Sequence, residues 1–157
     1  MTVINLSLKE KGWADYFLGM LPQIRSKSKD KHTKVGCVVV GPDHEIRTTG
    51  YNSFPRGLND DVPERYERPE KYDWIEHSER NAIYNAARIG VSLKGCTIYM
   101  GGIPCIDCAR AIIQSGITRI IYSSEEWAKW TSIKYDKRVT DKSIQMLYEC
   151  GVEIIEV

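Results

Sequence analysis

Val35 to Tyr51 reads VGCVVVGPDHEIRTTGY. The first half, Val35 to Gly41, is a short apolar run rich in β-branched residues, which predicts a buried strand. GPDHE punctuates it as a turn, and EIRTTGY returns as the hairpin partner. Upstream, Trp13, Tyr16, Phe17, Met20, Leu21 and Ile24 recur at helical spacing and predict one helix over about 8–25. The polar run RSKSKDKHTK between them reads as a solvated loop. Downstream, residues 52–76 hold no periodicity and are broken by Pro55, Pro63 and Pro69. A loop of that length in a small protein is usually functional. A helix is expected over 77–88 before Gly90, a strand over 96–100, and a helix over 105–115 before Gly116. A strand over 118–122, a Trp-bearing connection, a helix over 140–150 and a closing strand, VEIIEV, complete the series. A hairpin followed by alternating helices and strands predicts an α/β fold: a mixed five-stranded sheet flanked by helices.

The chain has 157 residues, 42% of them hydrophobic, which suits a single domain over 1–157 with a real core. Its 22 Lys and Arg against 21 Asp and Glu give a formal charge of +1. That balance argues against nucleic acid as a partner, though not against one nucleotide. MTVINLSLKEKGW carries no long apolar run, so neither a secretory signal nor a membrane span is expected. The odd count of five cysteines then reads as reduced thiols in a cytoplasmic protein.

Two short motifs carry chemistry. EHSER spans Glu76 to Arg80, and PCIDC spans Pro104 to Cys108. On a helix starting at His77, Glu79 shares a face with Ala82, Ile83 and Ala86 and is aimed inward. A buried carboxylate is costly unless paired, protonated or near a cation. On the next helix Cys105, Cys108, Ala109 and Ile112 share a face, so both sulfurs point one way. Pro104 suits the helix start, and helix N-termini favour thiolates. One imidazole and two thiolates are a donor set that zinc prefers, with a fourth position left for water. His32, His44, Cys37, Cys96 and Cys150 lack useful spacing to be the fourth ligand, and the three cysteines read as small buried side chains. Glu79 is placed to take and return a proton.

His-x-Glu with Pro-Cys-x-x-Cys resembles the zinc nucleoside and nucleobase deaminase signature. Four stretches narrow the likeness to the deoxycytidylate deaminase family: SKDKHTKVGCVVV, GYNSFPRG, RPEKYDWIEHSERNAI and PCIDCARAIIQSGI. The resemblance implies a cytidine deaminase-like three-layer fold, zinc on His77, Cys105 and Cys108, and Glu79 as proton shuttle. It implies that Asn52 meets the deoxyribose, that Ser28, Lys29 and Arg56 lie near the 5′-phosphate, and that groups beside Ser78 and Pro104 orient the base. It also implies hydrolytic deamination of dCMP to dUMP, a homo-oligomer such as a hexamer, and Mg2+ accompanying a nucleoside triphosphate effector. Alternatives are a deaminase of dCTP, of a modified dCMP or of a purine, and a silent zinc-binding module. The chain departs from the family pattern at Ser78, where Ala is usual, and at Ser53, where Gly is usual. Trp127, Trp130 and Tyr135 lie in a stretch longer than usual and read as packing residues rather than as base-stacking ones.

Overall fold

The computed structural model describes residues 6–131 and 137–157. Strands β1 (Gly36–Val40), β2 (Ile46–Tyr51), β3 (Thr97–Met100), β4 (Arg119–Tyr122) and β5 (Glu153–Glu156) form one sheet in the order β2-β1-β3-β4-β5. The β1–β2 and β1–β3 pairs are antiparallel, and β3–β4 and β4–β5 are parallel. The mixed five-stranded sheet is therefore present as expected.

Both faces of this sheet are buried, and strand alternation divides the side chains between them. Cys37, Val39, Ile98, Met100, Ile120 and Ile154 enter the larger core. Val38, Val40, Tyr99, Ile121 and Ile155 enter the smaller one. Helices α1 (Leu8–Leu18) and α2 (Leu21–Arg25) cover the smaller core through Ala14, Phe17 and Leu21. Helices α4 (Ser78–Ile89), α5 (Ile106–Gln114) and α7 (Lys137–Glu149) cover the other face.

Three differences from the sequence-based expectation have physical causes. The helix expected over 8–25 is two, separated at Gly19 and Met20, because Pro22 has no amide hydrogen and is accommodated only in a first turn. The long loop contains a 3-10 turn at Pro63–Tyr66 and a short helix, α3 (Lys71–Trp74). The Trp-bearing connection holds a further helix, α6 (Ser124–Thr131). Trp127 packs on the larger core, edge-on to Tyr122 and against Gly102; the Trp130 side chain and Tyr135 lie outside the described residues. Cys37 and Cys96 are buried, but Cys150 is exposed, because it sits just past the end of α7. Among the described residues, no helix is long and apolar enough to cross a membrane.

Candidate metal centre

Two helix N-termini meet at one corner of the larger core. His77 is the N-cap of α4 and Cys105 the N-cap of α5, both with extended backbone and neither using its side chain to cap. Their side chains are thus released toward each other, and Cys108 joins them from the first turn of α5. His77 Nδ1 lies 3.5 Å from Cys105 Sγ and 3.5 Å from Cys108 Sγ. All three donor atoms fall within 4.8 Å of one another. Ordinary Zn–N and Zn–S lengths at a tetrahedral angle require N···S separations of roughly 3.5 Å. The trio fits zinc by both donor chemistry and spacing.

Electrostatics prepare these ligands. The Cys105 thiol is drawn down to about 3 by its hydrogen bond with Cys108, helped by His77. Cys108 is pushed well up by sharing that bond and by burial. The His77 imidazole is raised by its contact with the Cys105 sulfur. Between them the shared bond favours Cys105 as the more readily ionised sulfur, and metal binding would require both thiols to lose their protons. Arg80 sets a guanidinium nitrogen 3.8 Å from Cys108 Sγ. It is held there by Glu76, which lies four residues earlier, just before the N-cap of α4.

Packing fixes the two helix starts. Gly50 on β2 lies against the first turn of α4, where a Cβ would collide with the Ser78 carbonyl and the Ala82 amide. Ser53 and Glu76 exchange backbone hydrogen bonds of 3.2 and 2.9 Å immediately before His77. On the other side, buried Ser143 of α7 donates to the Pro104 carbonyl at 2.7 Å, steadying the entry to Cys105. Glu79 is buried in the first turn of α4, where the helix dipole favours a carboxylate. Ser78 donates to its Oε2 at 2.8 Å.

Residues 11–124 match the family model described as the cytidine and deoxycytidylate deaminase zinc-binding region. The chain belongs to that family. Human deoxycytidylate deaminase is 35% identical over 120 residues, covering 73% of this chain and 66% of the human protein. The deoxycytidylate deaminase of Mycobacterium phage D29 is 34% identical over 125 residues, covering 72% of this chain and 95% of the phage protein. The chain thus spans about two thirds of the human relative's length and nearly all of the phage relative's. The fold matches that of cyanophage S-TIM5 dCMP deaminase, solved with dCMP and dUMP, with a TM-score of 0.73 and 24% identity. That match covers 98% of this chain and all of the phage one.

The remaining residues that the sequence singles out in this deaminase-family chain fall into two further groups. Asn52 is buried, and its amide is engaged at both ends. Oδ1 accepts from the Val35 amide at 2.8 Å, while Nδ2 donates to the Thr33 carbonyl at 2.8 Å and lies 3.5 Å from Asp30 Oδ2. Ser28, 1% exposed, accepts from the Asp30 amide at 3.3 Å. Asp30 in turn forms an ion pair with Lys71 at 2.8 Å, both side chains buried. Lys29 and Arg56 line a different cavity of about 300 Å³ with Tyr51, Ser53, Phe54 and Asn81. Lys29 bonds Asp60 and Asp61 at 2.8 and 3.0 Å, and these bonds raise its pKa. Arg56 bonds Asn85. None of His77, Cys105 and Cys108 lines that cavity, which opens on the flank of α4. His32 faces Glu67 and His44 stacks on Trp13, so neither approaches the trio. Arg80, Lys71, Asp30 and Ser143 escape the sequence reading. Only Arg80 leaves a local sign, its spacing of four from Glu76.

Proposed function

We propose that this chain is a zinc-dependent hydrolase that converts dCMP and water into dUMP and ammonia. One observation carries the proposal: an imidazole nitrogen and two sulfurs gathered at zinc-binding distances, with a buried carboxylate two residues from the histidine. Relatives named deoxycytidylate deaminase support the substrate.

Zinc held by His77, Cys105 and Cys108 supplies Lewis acidity that makes water nucleophilic near neutral pH. The residues do the rest. Glu79 takes one proton from the attacking water and delivers it to N3 of cytosine, then takes the remaining hydroxyl proton and delivers it to the departing amine, which leaves as ammonia. The α4 and α5 N-termini, at Ser78 and at Pro104–Cys105, orient the ring through backbone groups. Asn52 serves the sugar by exchanging one of its internal hydrogen bonds, and Ser28 holds the loop that presents it. Lys29 and Arg56 provide cations for the phosphate, with Asp60, Asp61 and Asn85 as the partners they give up. We take 1–157 as one domain, since one sheet runs between both cores. Exposed Tyr84 and Ile89 on the outer side of α4 suit a homo-oligomer, and five free thiols suit the cytoplasm. Mg2+ would enter only with a triphosphate effector.

The test is ammonia release from dCMP, dCTP, CMP, deoxycytidine, dAMP and dGMP, with zinc content measured on the same sample. Preferential turnover of dCMP is expected. Silence on dCMP with zinc bound would overturn the substrate assignment, and turnover of dGMP or dAMP would replace it with a purine.

A further inference from the structure

Ser78 stands where the resembling family usually has alanine, and its hydroxyl has one visible occupation. It donates to Glu79 Oε2 at 2.8 Å. Ser78 is 1% exposed, and the surroundings of that bond leave it little freedom. The fully buried Cys37 of β1 is a neighbour of the same residue. Beside it, Gly50 presses on the Ser78 carbonyl, fixing the first turn of α4 against the sheet. The other carboxylate oxygen is different. Among the described residues, Glu79 Oε1 has no hydrogen-bond partner, and no side-chain oxygen is both sealed from solvent and unpaired. Oε1 is therefore not sealed from solvent, in the first turn of the helix that His77 caps.

We propose that Ser78 is a positioning residue: it tethers Oε2 so that Oε1 alone addresses the reacting water and base. The inference rests on the deaminase reading of this site. A carboxylate with two equivalent oxygens can rotate about its terminal torsion, which is broad and roughly two-fold. A charge-assisted bond from a buried hydroxyl removes that freedom and keeps one oxygen aimed before substrate arrives.

The experiment compares Ser78→Ala with the unaltered protein, both loaded with zinc, on whichever base of the panel the unaltered protein deaminates best. The expected result is a kcat lowered about 5- to 20-fold, since bonds to charged groups exceed neutral ones and only their transition-state share is lost. KM and zinc content should be nearly unchanged, and the solvent deuterium isotope effect on kcat should rise. A second readout needs no activity. Ser78→Ala should lower Tm when Glu79 is present, and should leave it level or raise it in a Glu79→Ala background. Equal kcat values, a loss confined to KM, loss of zinc, or additive Tm changes would each overturn the tether. Failure of the deaminase reading is separate: it appears as no ammonia from any base with the unaltered protein, while the Tm cycle still decides the tether.

Discussion

The α4–α5 corner and the 28–35 loop both bury charge-bearing groups, by opposite means. In the loop the buried carboxylate of Asp30 is fully engaged. Asp30 receives the amides of His32 and Thr33 on one oxygen, and Lys71 and Asn52 on the other. At the corner, bonding capacity is left over. Two sulfurs and an imidazole nitrogen converge, and Glu79 keeps one oxygen uncommitted. A saturated polar cluster supports its surroundings unless a bond is exchanged, as proposed for Asn52, whereas one with free valences can act on something else directly. By this measure Asp30, Lys71 and Ser28 are supports. They tie the segment entering β1 to α3, which leads through Ser53–Glu76 pairing into His77.

The contrast breaks most sharply at a ligand. Cys105→Ala should remove zinc and bring turnover to background, because two donors cannot hold the ion; elemental analysis and ammonia release check both. Chelation should mimic the loss and zinc should reverse it. Glu79→Ala should instead keep zinc while turnover falls about 10²- to 10⁴-fold, as both proton transfers lose their carrier. Retained activity in that variant would remove Glu79 from the chemistry.

The clamp should fail through stability rather than chemistry. Lys71→Met leaves the Asp30 carboxylate buried without its cation, a loss of about 3–5 kcal/mol in urea unfolding. Adding Asp30→Asn should restore part of it, since no unpaired charge then remains. Zinc content of the folded fraction should not change. Smallest of the four is Arg80→Leu, which takes a positive charge from beside Cys108. Zinc affinity should weaken about 10- to 100-fold in competition with a chromophoric chelator, with the fold intact.

The legibility of the two regions in the sequence follows the same division. His77 and Glu79 sit two residues apart, Cys105 and Cys108 three apart, and each pair opens a helix whose apolar face can be counted. Helical geometry therefore turns local spacing into a shared direction, and the sheet order follows from strand runs such as Val35 to Gly41. The clamp offers no such arithmetic. Lys71 and Asp30 are forty-one residues apart in irregular chain, and a lysine in a polar stretch ordinarily reads as solvated. Pro22 is a local sign of the helix break, but the apolar rhythm on both sides of it is the stronger signal. Arg80 shows in sequence only its spacing of four from Glu76, because its second contact, with Cys108, reaches across to α5.

Gly50 gives the catalytic corner an unusual mutational profile. It carries no side chain, touches no substrate by any reading, and lies on the sheet rather than among the donors. Yet the spacing between β2 and the first turn of α4 has no room for a methyl group there. In a pool of random variants, codon 50 will therefore tolerate as little change as the codons of the metal donors, although its residue offers no donor of its own.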